Sequence, residues 1–171
     1  MAVYKIIEDD YAELKKPTKA FDFADPVIKP TELFENLKET LVAHGGLGLS
    51  ANQCGVNASV FIIGDSKSPG TIFAMFNPKI VDQSENLANI EEGCLSFPGL
   101  FMKIKRSTGV RARYADESGE VHTRAFSGMT ARAILHECDH LQGEVFTSKA
   151  NKFELTRGKT QRKKMRRAMK K

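Results

Sequence analysis

The sequence has few cysteines and no long hydrophobic run. Its three cysteines, Cys54, Cys94 and Cys138, are an odd number at irregular spacing, which excludes a disulfide framework and favours a reducing compartment. No apolar stretch approaches the roughly 18 to 20 residues of a membrane span. Residues 1–10 lack the charged-then-apolar order of a signal peptide. We therefore expect a cytoplasmic protein without a membrane segment, in which individual thiols bind a metal or pack in the core.

The composition is that of a soluble globular protein with a strongly basic end. At 171 residues, with 41% hydrophobic and 27% charged residues, the chain is long enough for one domain with a core. The net charge of +5 is unevenly distributed. Residues 149–171 hold eleven Lys or Arg and a single acid, whereas residues 1–148 hold 15 basic and 20 acidic residues. We expect a mildly acidic body over residues 1–148 and a basic tail over residues 149–171.

The segment His136-Glu137-Cys138-Asp139-His140 is the most informative part of the chain. At about 100° per residue of an α-helix, His136 and His140 lie only about 40° apart and can bind one metal ion. Glu137 flanks the pair and can handle protons, whereas Cys138, about 200° from His136, faces away. The segment predicts a metallohydrolase. The alternative is a helix with two chance histidines.

Two imidazoles and a water leave a tetrahedral catalytic site one protein ligand short. The candidates for the third ligand are Cys94, Glu92 and Asp139. Cys94 follows Gly93, in a segment whose glycines let the backbone fold tightly around an ion, and a thiolate is a strong metal donor. A lone cysteine is also commonly a small buried hydrophobe. The residues alone leave the third ligand open.

Local patterns predict two helices and a loop that approaches a ligand. Thr31 can cap an amphipathic helix that ends at Gly45-Gly46. Residues 45–55 have too many glycines for a helix and too few charges for a solvated linker, so they predict a loop with close backbone approach. Ser127 or Thr130 can cap the helix that carries the histidines.

Short runs of apolar and β-branched residues predict strands. The predicted strands cover residues 59–63, 71–76, 110–114 and 121–125. The second should end at Asn77-Pro78, and the last two should form an antiparallel hairpin.

Three segments together resemble the motifs of one family. They are, in chain order, Gly46-Leu47-Gly48-Leu49-Ser50-Ala51-Asn52-Gln53-Cys54-Gly55, Glu92-Gly93-Cys94-Leu95-Ser96 and His136-Glu137-Cys138-Asp139-His140-Leu141-Gln142-Gly143. Their content and order are similar to those of peptide deformylases over residues 31–146. The resemblance implies an α+β fold in which antiparallel β-sheets pack around a central helix carrying the His-Glu-x-x-His motif. It also implies metal-dependent removal of the N-formyl group from the formyl-methionine of nascent polypeptides, with release of formate.

The resemblance assigns a metal site. Its ligands are the Cys94 thiolate and the imidazoles of His136 and His140, with water as the fourth ligand. One divalent ion is implied, with Fe²⁺ as the native metal and Zn²⁺ or Ni²⁺ as possible replacements. On this basis Cys94 is preferred to the two carboxylates as the third ligand.

The resemblance also assigns the catalytic groups. Glu137 would take a proton from the attacking water and return it to the departing amine. The side-chain amide of Gln53, the backbone N–H of Leu95 and the metal would stabilise the oxyanion.

A substrate pocket is implied beside the metal. Met129 and Ala133 precede His136 by seven and three residues and lie on the same face of a helix. With Leu47 and Ile90 they would form an apolar slot for an unbranched methionine side chain, although Met129 alone fits ordinary core packing equally well. The backbone contacts that hold the substrate extended, as in strand addition, are assigned to Gly46, Gly48 and Gly93.

Four positions depart from the family pattern. Ser50, Asn52 and Cys54 stand where the family most often has Ala, Pro or Thr, and an aliphatic residue. Leu135 replaces the usual Gln before the first histidine. None of these changes removes a ligand, the base or the oxyanion donor.

The basic tail predicts a helix from about residue 152 onward, with Met165, Ala168 and Met169 as a narrow apolar stripe. Some bacterial deformylases dock on the ribosome through such a helix, so the resemblance implies salt-dependent contact of residues 152–171 with ribosomal RNA.

Two alternative functions remain. An endopeptidase would take its third ligand downstream of the motif, where no His follows His140, and a non-catalytic RNA-binding protein would need only the tail.

Overall fold

The computed structural model describes residues 2–170, which form four α-helices and seven β-strands. The helices are α1 (Tyr11–Leu14), α2 (Pro30–His44), α3 (Gly128–Leu141) and α4 (Lys152–Ala168). The strands are β1 (Gly48–Ser50), β2 (Val60–Ile63), β3 (Phe73–Gln83), β4 (Leu87–Glu92), β5 (Met102–Ser107), β6 (Gly109–Ala115) and β7 (Val121–Ser127).

The strands form two antiparallel sheets. Five strands pair in the order β1-β2-β3-β6-β7, and β4 pairs with β5 as a separate hairpin. The predicted hairpin corresponds to β6 and β7, in which Tyr114 lies opposite His122 and Val110 opposite Phe126. Only β1 and β7 lie at the edges of the larger sheet among the described residues. A free edge at β1 leaves main-chain groups available for another strand.

Helix α3 lies at the centre of the protein, against both sheets. Its apolar face, which includes Ile134 and Cys138, packs on side chains of β2 and β6 such as Phe61 and Ala112. Its opposite face holds His136 and His140, both buried. Packing of this apolar face against the sheet stabilises the helix. The predicted α+β arrangement of antiparallel sheets around a central helix is therefore confirmed.

Two predicted element boundaries are wrong. Helix α2 begins at Pro30 rather than after a Thr31 cap, because proline at the first helical position needs no N–H partner. Residues 45–55 are more regular than the predicted loop. They contain β1 and a 3₁₀ turn over Ala51–Cys54, because the backbone of β1 pairs with β2.

Strand β3 does not end at Asn77-Pro78 as predicted. It continues to Gln83, and the register with β6 shifts between Phe76 and Lys79. Asn77 adopts φ 49°, which asparagine tolerates, and its side chain bonds the backbone N–H and C=O of Phe21. A bulge accommodates the proline within the strand because no ladder N–H is needed there.

The basic tail forms helix α4, which packs back on the body beside β5. The Asn151 side chain caps its first turn by accepting from the Glu154 N–H. The Glu154 carboxylate then accepts the backbone N–H of Lys103 at 2.9 Å. Near the other end, Arg162 forms two hydrogen bonds to Asp9, at 2.7 and 2.8 Å.

The packing face of α4 differs from the apolar stripe noted in the sequence. Glu154 and Gly158 are its buried residues, whereas Met165 and Met169 are exposed. A Cβ atom at Gly158 would lie 2.7 Å from the Phe101 carbonyl oxygen and 2.8 Å from the Met102 Cγ. The missing side chain thus allows the helix to approach β5 closely.

We predict that Gly158→Ala destabilises the protein. Alanine is better than glycine in a helix by about 1 kcal/mol, but the overlap with the Phe101 carbonyl should outweigh this gain and lower the free energy of unfolding by about 1–3 kcal/mol. Urea denaturation measures the change. Thr160→Ala, two residues along at an exposed position, is the control and should change little. Equal stability of the two variants would contradict the close packing.

Candidate metal centre and substrate cavity

Three side chains from two elements converge on one point. Cys94, which follows β4, lies beside His136 and His140 of α3, and one ligand atom from each falls within 4.8 Å of the others. The Cys94 Sγ is 3.2 Å from the His140 Nε2. One thiolate and two imidazoles form a donor set suited to zinc or iron, so the residues fit a transition-metal ion.

Glu92 orients the first histidine and joins it to two arginines. Its carboxylate accepts from the Nδ1 of His136 at 3.1 Å, which leaves the Nε2 to face Cys94. Arg106 contacts both Glu92 oxygens, at 2.7 and 3.1 Å, and Arg132 contacts one at 2.6 Å. Burial raises the pKa of Glu92, but the hydrogen bonds from His136 and Arg106 outweigh it and lower the pKa to about 2.

The two carboxylates considered as the third ligand have other partners. Glu92 binds the arginines and His136, and Asp139 accepts from Arg106 at 2.7 Å. Neither carboxylate belongs to the cluster that Cys94 forms with the histidines. The geometry therefore favours Cys94 over both alternatives.

Gln53 is oriented with its amide nitrogen toward the cluster. Its Oε1 accepts from the backbone N–H of Ser50 at 3.0 Å and from the Ser50 hydroxyl at 2.8 Å. The Nε2 then points to Cys94 Sγ at 3.5 Å and to Ser96 Oγ at 3.1 Å. Ser50, one of the departures from the family pattern, thus adds a second donor that holds the amide in this orientation.

Glu137 is buried beside the cluster with one oxygen free. Its Oε2 has no hydrogen-bond partner in residues 2–170. Burial raises the pKa of Glu137 to about 7, although the charge of His136 acts in the opposite direction. A carboxyl group of this kind suits proton transfer near neutral pH. A buried carboxylate oxygen without a partner also fits a site that receives a water molecule.

Two glycines let other groups approach the centre. A Cβ atom at Gly48 would lie 2.8 Å from the Glu137 Oε1, so a side chain there would displace the carboxylate. A Cβ atom at Gly93 would lie 2.6 Å from the Phe101 ring. A side chain at either position would have to displace the Glu137 carboxylate or the Phe101 ring.

A cavity of about 490 Å³ opens onto this centre. The predicted substrate residues that line it are Gly46, Leu47, Gly48, Gly93, Met129 and Ala133, together with the predicted catalytic residues Gln53, Leu95 and Glu137. Ile90 does not line it. That side chain is 40% exposed on β4, opposite Ile104, so its predicted part in the pocket is not seen in this arrangement.

Comparison with known proteins agrees with this geometry. The sequence profile of a family described as polypeptide deformylase matches residues 3–156. The chain belongs to the polypeptide deformylase family. Peptide deformylase 1 of Burkholderia multivorans is 36% identical over 169 residues, which cover 99% of this chain and 92% of that protein. Peptide deformylase 1 of Bacillus anthracis is 34% identical over 90% of this chain and 96% of its own.

Solved deformylase structures share the fold. The crystal structure of a peptide deformylase from Legionella pneumophila matches with a TM-score of 0.87 at 25% identity, over 99% of both chains. A peptide deformylase from Synechococcus elongatus, solved in complex with actinonin, matches with a TM-score of 0.81 at 29% identity, over 92% of this chain and 85% of that one.

This deformylase removes N-formyl groups from nascent peptides, as its family does, and the family is metal-dependent. The predicted enzyme class is therefore confirmed, and the endopeptidase and the non-catalytic RNA-binding protein are not supported. Within residues 2–170, no helix has both the length and the apolar character needed to cross a membrane.

Seven residues that line the deformylase cavity were not predicted from the sequence. They are Glu8, His44, Glu91, Pro98, Gly99, Phe101 and Arg132. Arg132 could have been found, because it precedes His136 by one helical turn and so places a charge on the ligand-bearing face. His44 lies two residues before the first motif and Phe101 five residues after the second, but neither belongs to a motif and neither lies on a predicted ligand-bearing face.

We predict that Glu92→Gln strongly destabilises the metal-free deformylase. The amide leaves the buried Arg132 and Arg106 without a carboxylate between them, and breaking such a buried pair costs about 3–5 kcal/mol. The free energy of unfolding in urea measures the loss. Glu91→Gln is the matched control. The Glu91 carboxylate is half exposed and pairs with Arg157, so its loss should cost less than about 1 kcal/mol. Similar losses for both variants would show that the network stabilises little.

Proposed function

We propose that Cys94, His136 and His140 hold one divalent metal ion at which this deformylase acts. Three observations support the proposal. The ligand atoms of the three residues converge, Glu92 turns the Nε2 of His136 toward the other two, and the free Oε2 of Glu137 adjoins the cluster. We propose Fe²⁺ as the native ion, with Zn²⁺ or Ni²⁺ able to replace it, because a thiolate with two imidazoles binds all three.

When bound, the metal supplies an acidified water and polarises the formyl carbonyl. We propose that Glu137 accepts the proton of the attacking water at its free oxygen and later donates it to the departing amine. The Nε2 of Gln53 and the N–H of Leu95 would donate to the oxyanion. The Leu95 N–H has no partner in residues 2–170, so it is free for this role. Ser50 keeps the Gln53 amide turned toward the reacting carbonyl.

We propose that the peptide binds extended between β1 and the end of β4. Leu47 and Gly48 line the cavity from one side and Gly93 lines it from the other. The free edge of β1 supplies main-chain partners, as in strand addition. Met129 and Ala133 would contact the methionine side chain. A contribution from Ile90 would require its side chain to move from its present exposed position.

We predict that Glu137→Gln strongly slows formate release from a formyl-Met peptide but leaves metal binding intact. The loss of a general base should lower kcat about 10²- to 10⁴-fold. The metal content of purified protein should stay unchanged, because Glu137 is not one of the proposed ligands. Cys94→Ala is the complementary variant and should lose the metal itself. Absence of formate release from metal-loaded wild-type protein would refute the proposed reaction.

We propose that residues 1–148 form the catalytic body and that the basic tail, residues 149–171, contacts ribosomal RNA. Helix α4 presents a groove lined by Tyr11, Lys159, Arg162, Lys163, Arg166, Arg167 and Lys170. Arg162 and Arg166 bind Asp9, whereas Lys159, Lys163 and Arg167 make no ion pair in residues 2–170. Free cations on one face favour binding to phosphates. The proposed compartment is the cytoplasm, where nascent chains emerge from ribosomes.

We predict that Lys163→Gln with Arg167→Gln weakens co-sedimentation with ribosomes. Two fewer phosphate contacts should lower the slope of log affinity against log salt by about 1.8 in magnitude. Pelleting at several salt concentrations measures the slope. The control is Lys67→Gln with Lys105→Gln, which removes the same charge from exposed positions of the body. Equal co-sedimentation of wild type and both double variants would exclude this surface.

A further inference from the structure

Phe101 lies between the substrate cavity and helix α4. Its side chain lines the cavity and is 45% exposed. Its ring contacts Gly93 so closely that a Cβ atom there would lie 2.6 Å from the Cε1. Gly93 immediately precedes the proposed ligand Cys94. The ring therefore forms an apolar wall directly beside the segment that carries the thiolate.

The backbone of Phe101 contacts α4 in the same manner. A Cβ atom at Gly158 would lie 2.7 Å from the Phe101 carbonyl oxygen. Phe101 is thus held between two residues that lack side chains, one beside the metal site and one on the tail helix. Because α4 contacts the backbone carbonyl of Phe101, a shift of α4 at this point would displace that backbone and the ring that it carries.

Further contacts tie α4 to the residues around Phe101. The Glu154 carboxylate accepts the Lys103 N–H at 2.9 Å, on one side of Phe101. The Nε of Arg162 donates to the Pro98 carbonyl at 2.8 Å, on the other side. Arg157 contacts Glu91 of β4 at 3.2 Å. Pro98 and Glu91 also line the cavity, so the helix supports several residues of this wall.

We propose that Phe101 is a substrate-contacting wall of the cavity and that α4 is its positioning element, so that the C-terminal helix sets the affinity for the formylated peptide. The inference rests on the proposed function of the cavity. It assigns to α4 a role in peptide binding that is separate from its basic surface. The apolar ring is exposed where an extended peptide passes Gly93, and covering it with substrate removes apolar surface from water.

Steady-state formate release from formyl-Met-Ala-Ser by the metal-loaded full chain tests the proposal. Phe101→Ala should raise KM about fivefold to tenfold, with kcat within about twofold, because the ring contributes to binding rather than to the chemical step. Gly158→Ala should raise KM about threefold through displacement of the ring. Thr160→Ala, exposed on α4, should match wild type.

A double-mutant cycle separates positioning from general destabilisation. If α4 acts through Phe101, Gly158→Ala adds nothing to KM when Phe101 is already Ala. The proposal would be overturned if the fold-changes in KM of the two single variants multiplied in the double variant. An unchanged KM in Phe101→Ala would also overturn it. If Gly158→Ala does not fold, Arg162→Ala, which loses the bond to the Pro98 carbonyl, takes its place in the cycle.

Peptide binding without turnover distinguishes this inference from the reaction itself. The Kd of formyl-Met-Ala-Ser is measured by calorimetry in the Glu137→Gln background, with and without Phe101→Ala. A higher Kd for the Phe101 variant supports the proposed contact between Phe101 and the peptide, even if wild-type protein releases no formate. An unchanged Kd contradicts the proposed contact between Phe101 and the peptide, even if formate release is normal.

Discussion

The buried carboxylate of Glu92 joins the parts of the protein that bring Cys94, His136 and His140 together. It accepts from Arg106 of β5, from Arg132 of α3 and from the Nδ1 of His136. Three positively polarised partners keep the carboxylate charged despite its burial, and the charge in turn keeps the arginines paired. The hairpin of β4 and β5 is thereby fixed against the helix that carries both histidines. This contact places Cys94, which follows β4, on the side of the hairpin that faces both histidines.

Close backbone approach is the second requirement of the site. The Glu137 carboxylate occupies the space that a side chain at Gly48 would need, and the Phe101 ring does the same at Gly93. The absence of a side chain at these glycines therefore leaves space for the neighbouring side chains. Gln53 is oriented by hydrogen bonds instead, because Ser50 donates two of them to its Oε1. The amide nitrogen is thereby turned toward Cys94 and Ser96, and a fixed donor of this kind is the form of preorganisation that electrostatic catalysis needs.

Helix α4 has two faces with different partners. One face carries lysine and arginine side chains and is suited to phosphate, whereas the other holds Glu154 and Gly158 against the strand that follows Phe101. The two most buried residues of this face are not apolar. They are a carboxylate bonded to a main-chain N–H and a glycine that permits contact, while Leu155 adds a partly buried apolar contact. A hydrophobicity pattern does not reveal such a face, and the stripe that it does reveal, Met165 and Met169, is exposed.

The histidine helix, the pairing of β6 with β7 and the helical tail were accessible from the sequence, because periodicity and turn residues act over a few positions. The family motifs added Cys94 and Gln53, which lie about forty and eighty residues before His136. Tertiary contacts were needed for the rest. The continuation of β3 past Pro78 depends on a bulge against β6, and the exposure of Ile90 depends on how the hairpin packs. The arginines that bind Glu92 lie 14 and 40 residues further along the chain. Phe101 likewise contacts Gly158, which lies on the last helix. Their steric and electrostatic fit exists only once the chain is packed.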